Sequence, residues 1–228
     1  MIEFKTTQGT KVIRLDNPRC NCYLILAQDQ AILVDTSTTA NLKSIEKQIM
    51  QVGVTKINAI IQTHQHTDHV QNTAYFQNKY HCPVYIHASE CEYLQQGHCK
   101  MPQGTNPWGK LISWAQSSFH VFETFEPVEN VIPIDTHLSN SVFPDEITIL
   151  PTPGHSCGSI SVLVDHEIAC VGDAMVHVGK TIYPPFADDE KTLKDSWQVL
   201  ANTSCNLFLP AHGKEVAGDF FRTKIHAI

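Results

Sequence analysis

The sequence predicts a mixed α+β fold (α/β layered). Strand-like apolar runs alternate with stretches of helical spacing along the chain. Several of these runs stop at a glycine beside a histidine or an aspartate. The length of 228 residues fits one domain, residues 1–228, with a sizeable core.

The first half of the chain predicts a hairpin, a helix and then further strands and helices. Alternating apolar residues in Cys22–Ala27 and 31–34 indicate a hairpin that turns at Asp29 and Gln30. Residues 40–52 have helical spacing and end at Gly53, a residue type common just after helices. Four elements follow in the order strand, helix, strand, helix: 57–61, 70–80, 84–86 and 90–96.

The second half predicts three strands, a helix and a last short strand. These elements are residues 147–150, 159–164, 167–171, 193–200 and 208–209, and the second and third strands turn at Asp165 and His166.

Between the two halves, residues 97–142 form an aromatic-rich stretch without a clear period. One interpretation is a surface excursion whose aromatic side chains pack on the core. The other is a cap or a homodimer contact beside the metal site, because long insertions in compact domains are often functional. In the second case Trp108 and Trp114 are the expected apolar contacts.

Four metal-competent side chains, His64, His66, Asp68 and His69, directly follow the strand predicted at 57–61. On an extended chain His64 and His66 point to the same side, because side chains alternate with a period of two. A turn then presents Asp68 and His69, so one strand end could serve two adjacent ions. Imidazole and carboxylate ligands suit zinc, and also iron or manganese.

Three more ligand-type residues, His155, Asp173 and His212, follow later apolar runs, each near a glycine. Ligands at the ends of several strands can converge on one rim of a sheet. We therefore expect two metal ions, most simply two Zn²⁺ with Fe or Mn as alternatives. The first ion would take His64, His66 and His155, the second Asp68, His69 and His212, and Asp173 could bridge them.

These residues resemble the motifs of the metallo-β-lactamase superfamily. The His-x-His-x-Asp-His loop of that family matches His64, His66, Asp68 and His69, and its later ligands match His155, Asp173 and His212 in the same order. The resemblance runs from about residue 21 to residue 212. It implies an αββα sandwich with the metal site at one edge of the two sheets.

The expected chemistry is hydrolysis. Two ions roughly 3.5–4 Å apart can share a water and lower its pKa from about 15.7 to about 7. A metal-bridged hydroxide of this kind would attack a thioester, lactone or other carboxylic ester. The carboxylate of Asp68 or of Asp173 could accept the proton of the nucleophile, and Asp68 is the nearest candidate. Asp35, at the end of a predicted strand, could accept the ring N–H of a ligating histidine, or could simply cap its own loop.

Two other functions remain open on the sequence. A mononuclear non-heme iron oxidoreductase, similar to a persulfide dioxygenase, would use only part of the ligand set. A metal-stabilised binding protein would have no turnover. The complete set of seven ligand-type residues favours two metals, and therefore the hydrolase over the mononuclear iron enzyme. Within the family, glyoxalase II proper has a C-terminal helical domain with basic residues, which is not expected after His212, so the resemblance favours a small glyoxalase-II-like or lactonase-like member.

Composition and net charge indicate a small-molecule substrate as the binding partner of this chain. The net charge of −7 argues against nucleic acid or an anionic membrane as partner. No apolar stretch approaches the roughly 20 residues of a membrane helix. The N-terminus lacks the pattern of a signal peptide and the eight cysteines show no framework spacing, so we expect reduced thiols and a cytoplasmic protein.

The other histidines and one cysteine receive simpler interpretations. His177 is a candidate to line the site from the strand that follows Asp173, whereas Cys157 is expected to have a packing role. Surface positions or local hydrogen bonds are expected for the remaining histidines: His81, His87, His98, His120, His137, His166 and His226.

Overall fold

In the computed structural model, which describes residues 1–118, 124–135 and 142–225, two β-sheets are covered by helices. The first sheet has seven strands in chain order: β1 (Ile2–Lys5), β2 (Lys11–Leu15), β3 (Cys22–Ala27), β4 (Gln30–Val34), β5 (Ala59–Ile61), β6 (Val84–His87) and β7 (Val131–Ile134). The second has five, in the order β12-β11-β10-β9-β8: β8 (Ile147–Pro151), β9 (Ile160–Val164), β10 (Ile168–His177), β11 (Leu207–Gly213) and β12 (Val216–Ala217).

The helices of the described residues fall into two sets along the chain. Five accompany the first sheet in sequence: α1 (Leu42–Val52), α2 (Thr67–Val70), α3 (Thr73–Tyr80), α4 (Cys91–Gln96) and α5 (Pro107–Ser118). Two accompany the second: α6 (Glu190–Ala201) and α7 (Gly218–Ile225). Short 3₁₀ turns at Thr39–Asn41 and Ala88–Glu90 precede α1 and α4.

Three buried clusters define four layers. The central cluster joins alternate residues of both sheets, such as Ile25 of β3 and Val162 of β9. The intervening residues of the first sheet, such as Leu24, pack with Ile45 of α1 on the outer side. On the far side of the second sheet, Trp197 of α6 lies in a third cluster with residues of α7. The layers are therefore helix, sheet, sheet, helix, which confirms the predicted α+β fold.

Several elements differ from the sequence prediction in extent. The predicted helix at 70–80 begins later, as α3 at Thr73, and a separate short helix, α2, ends at Val70. Strands β10 and β11 run on to His177 and Gly213, so Asp173 and His212 lie inside strands and do not follow them. Strands β1 and β2 and helix α7 were not predicted.

The stretch 97–142 was predicted as irregular, and this was wrong for residues 107–118 and 131–134. It contains helix α5 and strand β7, which pairs in parallel with β6. Trp108 and Trp114 on α5 are 72% and 65% exposed, so neither indole packs on the core. Phe119, Phe122, His120, His137 and His226 lie outside the described residues.

Parallel strand pairs position the site. Strands β4 and β5 are parallel, as are β10 and β11. The carboxyl ends of parallel neighbours meet at the same edge of a sheet, where ligands commonly bind in open α/β sheets. Asp35 and His64 therefore follow their strands at one edge. Within the described residues, no helix is both long and apolar enough to span a membrane.

Candidate metal centre

All seven ligand-type residues predicted from the sequence converge at this edge. His64 lies in the loop after β5, and His66 is the residue just before α2. Asp68 and His69 lie on α2, which begins directly after His66. Asp173 and His212 come from β10 and β11, and His155 comes from the loop between β8 and β9.

The first group consists of His64, His66 and His155, all buried. One ligand atom from each lies within 4.8 Å of those of the other two. His155 Nε2 lies 2.9 Å from His66 Nδ1. His155 Nδ1 is 2.9 Å from the carbonyl oxygen of Phe186 and donates to it in the tautomer that leaves Nε2 free for a metal.

The second group consists of Asp68, His69 and His212, with Asp173 between it and the first. His212 Nε2 lies 3.1 Å from Asp68 Oδ2 and 3.4 Å from Asp173 Oδ1. His69 Nε2 is also 3.4 Å from Asp173 Oδ1, and His155 Nε2 is 3.6 Å from Asp173 Oδ2. Donors of a tetrahedral zinc site with bonds of 2.0–2.1 Å lie about 3.3 Å apart, so these spacings suit shared ions.

An irregularity in β10 directs Asp173 into the site. The register between β10 and β11 shifts after Cys170 and again after Gly172, which is typical of a bulge that re-aims a side chain. Gly172 has a φ of +51°, and a Cβ added there would lie 2.6 Å from Thr63 Oγ1. Only glycine allows β10 to approach the loop after β5 this closely.

Asp35, directly after β4, lies within hydrogen-bond distance of a candidate ligand, as one of the two interpretations of the sequence predicted, and it caps the loop after β5, not its own loop. Its carboxylate accepts hydrogen bonds from Thr63 N and Thr63 Oγ1, each at 2.8 Å, which caps the loop after β5. Its Oδ2 also lies 2.8 Å from His69 Nδ1, which orients Nε2 of that ring towards Asp68 and Asp173. Asp35 has a φ of 58°, a left-handed conformation that aspartate tolerates better than most residues.

Two supporting residues were missed by the sequence analysis. Cys20 is fully buried, and its Sγ lies 3.7 Å from His69 Nδ1. Glu90, also buried, accepts a hydrogen bond of 2.9 Å from Gly158 N in the loop that carries His155. An isolated cysteine and a glutamate inside a helical pattern carry no sequence signal for these roles, because both depend on distant parts of the chain.

Burial and nearby charges shift the histidine pKa values of the two groups in opposite directions. Burial, with repulsion from His155, lowers the pKa of His66 to about 3, and burial also lowers that of His64. Neutral imidazole is the form that binds metals. Burial also disfavours the charged form of His212, but the carboxylates of Asp173 and Asp68 raise its pKa well above the ordinary value. The second group therefore favours a positive charge beside its carboxylates.

The donor atoms fit bound metal ions. Among the described residues, His64 Nε2, His69 Nε2 and Asp173 Oδ1 are buried without a hydrogen-bond partner. Buried polar atoms in native proteins are normally satisfied. These same three residues place ligand atoms within 4.8 Å of one another. Three orphaned donors in one cluster are explained by ions that they would hold.

The candidate centre opens into a cavity of about 850 Å³. His66, Asp68, His155, Asp173 and His212 all line it. Apolar side chains from the segment after α4, from α5 and from the end of β10 cover other parts of its wall: Met101, Pro102, Ile112, Val176 and Val178. A small molecule could enter this cavity and reach the candidate ligands.

The weaker sequence candidates lie elsewhere. His177 does not line the cavity, although its neighbours Val176 and Val178 do, so the prediction that it could line the site was wrong. Its Nδ1 contacts the carbonyls of Lys214 and Glu215 at 3.2 and 3.1 Å. Cys157 is exposed, with its Sγ 3.6 Å from Ser89 Oγ. His87 accepts a hydrogen bond from Ser89 N, which agrees with the local role expected for it.

Comparison with known proteins agrees with this geometry. The family model of the metallo-beta-lactamase superfamily matches residues 15–212. The chain is 28% identical over 200 residues to the probable metallo-hydrolase YqgX of Bacillus subtilis (strain 168), with 86% of each chain covered. It is 24% identical over 198 residues to the probable metallo-hydrolase MJ0888 of Methanocaldococcus jannaschii, with 85% of this chain and 87% of the relative covered.

The fold is also shared with solved structures. One of them, TTHA1623 in a di-iron-bound form, has a TM-score of 0.65 at 19% identity and covers 92% of this chain and 95% of its own. The family match spans most of the chain, and the four-layer fold and the cluster of histidines and aspartates accompany it. The chain therefore belongs to the metallo-β-lactamase superfamily, a superfamily of metallo-hydrolases.

Proposed function

We propose that the chain is a binuclear metallohydrolase that cleaves a small-molecule thioester, lactone or other carboxylic ester. The observation that carries the proposal is the position of Asp173. One of its carboxylate oxygens faces His155 of the first group, and the other faces His69 and His212 of the second. A carboxylate between two groups of histidines is suited to hold two ions together.

The proposed ligand set follows the two groups. His64, His66 and His155 would hold the first ion, and Asp68, His69 and His212 the second, with Asp173 shared. Zinc is the simplest occupant of these nitrogen and oxygen donors, and the di-iron form of TTHA1623 supports keeping iron as an alternative. When bound, such ions would lower the pKa of a shared water to about 7 and polarise the ester carbonyl.

Asp68 is proposed as the group that accepts the proton from the attacking water. Its side chain is 35% exposed, compared with 10% for Asp173, so it is the carboxylate more accessible from the cavity. Burial opposes ionisation, but the neighbouring His69 and the hydrogen bond with His212 outweigh this effect and lower the pKa of Asp68 to about 2. The carboxylate is therefore ionised at neutral pH, which is the state that a proton acceptor requires.

The test is metal content followed by turnover. Protein purified without added metal should contain about two ions per chain and should hydrolyse members of a panel of thioesters and lactones. His212→Ala should lower the metal content towards one ion while circular dichroism stays unchanged. An unchanged content in the variant would remove His212 from the ligand set.

Other outcomes would favour the competing functions. About one iron per chain, with oxygen uptake on a persulfide and no ester hydrolysis, would replace the proposal with a mononuclear iron oxidoreductase. Two bound ions without turnover of any ester, thioester or lactone would favour a metal-stabilised binding protein.

A further inference from the structure

We propose that Arg19 binds a carboxylate on the substrate, so that the centre selects esters that carry a second, anionic end. This inference rests on the proposed hydrolase function and narrows its substrate class. Arg19 lies in the loop between β2 and β3 and lines the cavity that contains the metal ligands.

Arg19 is the only lysine or arginine among the described residues that line this cavity. The acidic side chains of the wall, Asp68 and Asp173, both belong to the proposed ligand set. The chain as a whole carries a net charge of −7 and so repels anions at a distance. A local guanidinium is therefore the feature that would attract an anionic group into this particular cavity.

The other two arginines of the chain are already engaged in the structure. Arg14 forms ion pairs with two carboxylates at 2.7 and 3.2 Å. Arg222 donates hydrogen bonds to backbone carbonyls of the segment 201–205. In the part of the chain that the structure describes, no hydrogen bond or ion pair involves the guanidinium of Arg19, which is exposed. Its five N–H donors are available to a ligand.

The backbone beside Arg19 is fixed to the metal centre. The thiol of the next residue, Cys20, contacts His69 at 3.7 Å. Asn21 donates from its backbone N to Ala211 O at 2.7 Å and from Nδ2 to Gly213 O at 3.0 Å, on the strand that carries His212. The Cα of Arg19 is thereby held at a set position, while its side chain remains free to meet a ligand. Such preorganisation reduces the entropy lost on binding.

The chemistry of the cavity indicates what lies between the two ends of the substrate. Met101, Ile112 and Val178 offer apolar surface in the same cavity, which suits a short hydrocarbon spacer. A guanidinium presents paired donors in a planar fork that matches a carboxylate, which a lysine does not. The structure thus favours an ester or thioester of a dicarboxylic acid, with the scissile carbonyl at the metals and the free carboxylate at Arg19.

The first test compares two aryl esters with the same scissile bond, a neutral butyrate ester and the half-ester of glutarate. Arg19→Gln should lower kcat/KM for the glutarate half-ester by about tenfold, the scale of a hydrogen bond to a charged group, mainly through KM. The neutral ester should be unaffected. Arg19→Lys should lie between, because it keeps the charge but loses the fork. Lys47→Gln on α1, which removes an exposed charge outside the cavity, should change neither. Equal effects on both esters, or no effect, would overturn the role of Arg19.

A second measurement is independent of turnover. Calorimetric titration of the metal-loaded protein with glutarate and with butyrate should show tighter binding of glutarate, and Arg19→Gln should abolish the difference. The same preference in the variant would refute the inference even if the hydrolase activity is real. If Arg19→Gln abolishes the preference for glutarate but the wild type hydrolyses no ester, the proposed function is refuted and the carboxylate site at Arg19 is retained.

Discussion

Asp35 joins neighbouring strand ends at the site. It binds the backbone and hydroxyl of Thr63 and the ring of His69 with one carboxylate, and its left-handed backbone lets the chain turn directly after β4. A residue held in an unusual conformation next to a cluster of ligands is typical of a functional site. The orientation of His69 therefore depends on a side chain outside the proposed ligand set.

Asp35→Asn should weaken metal binding by about 10- to 100-fold, the range seen when such supporting partners are changed. Asparagine keeps the shape but accepts the N–H of His69 less strongly and brings donors beside Thr63. The measurement is competition with a chromophoric chelator.

Asp165→Asn is the matched control for Asp35→Asn. Asp165, in the turn between β9 and β10, is also buried and also has a positive φ, of 51°. Its carboxylate accepts a hydrogen bond from the hydroxyl of Thr6 and not from the loop after β5. Its replacement should leave the metal affinity unchanged. Equal affinities for wild type and Asp35→Asn would contradict the role assigned to Asp35.

Asp68→Asn tests the proposed proton acceptor. The amide keeps the volume but removes the charge, so turnover of a responsive ester should fall by about 10² or more, the scale of general acid–base catalysis. Metal content must be measured on the same sample. Near-full activity with both ions bound would show that Asp68 neither accepts the proton nor contributes as a charged ligand.

Sequence reasoning was strongest for the candidate ligands themselves. His64, His66, Asp68 and His69 are adjacent in the chain, so local spacing indicates them, and the structure brings them together. Contacts such as Cys20 with His69 join residues far apart along the chain. No local pattern predicts such contacts, because they exist only once the two sheets are packed.

At the scale of elements, helix α5 shows how a chain region can be partly predicted. Ile112 on this helix lines the cavity, whereas the cap or homodimer contact expected of residues 97–142 stays a prediction. The predicted contacts, Trp108 and Trp114, were wrong for the cavity, since neither lines it and both are largely exposed. A helix offers several faces, and composition alone did not indicate which one meets the cavity.

Ile112→Ala should raise KM or change substrate preference, because it removes apolar surface from the cavity wall. Trp108→Ala and Trp114→Ala should leave KM unchanged, and metal content should be constant in all three variants. Steady-state kinetics on the best ester of the panel provides the comparison.

The two tryptophan variants also report on self-association. A loss of mass in light scattering with an unchanged KM would identify the exposed indoles as a contact between copies of the chain. A raised KM in either tryptophan variant, with no effect of Ile112→Ala, would contradict the assignment of the cavity wall.

Strands β10 and β11 illustrate the limit of prediction for regular elements. Their apolar beginnings were recognised, but their polar continuations were not, since histidine, aspartate and glycine normally interrupt a strand pattern. The parallel pairing of the two strands continues past these residues; for example, Val176 of β10 pairs with His212 of β11. Pairing between strands, which composition does not show, decides where each strand ends.

At the scale of the whole molecule, the candidate centre draws on both sheets. The loop and helix after β5 supply four proposed ligands from the first sheet, whereas β10 and β11 supply Asp173 and His212 from the second. Ions that bind only this arrangement would stabilise the native protein by mass action, by about 2.7 kcal/mol at a free concentration 100 times Kd.

Removal of metal with a chelator should therefore lower Tm by roughly 5–10 °C for a chain of this size. His212→Ala, which should lack one of the two ions, should show a smaller decrease than wild type. Thermal unfolding followed by circular dichroism provides the measurement. An identical Tm with and without metal would contradict a site built from both sheets.

The hydrogen bond between Asn21 and Gly213 closes a loop of 192 residues. A loop of that length is slow to close, because the chain loses conformational entropy on closure before the contact contributes any stabilising free energy. During synthesis the loop after β5 emerges early, with His64 and His66, but Asp173 and His212 follow much later. The two proposed ion sites can therefore be completed only after nearly the entire chain has been made. Metal would then bind late, and only to chains that have folded correctly.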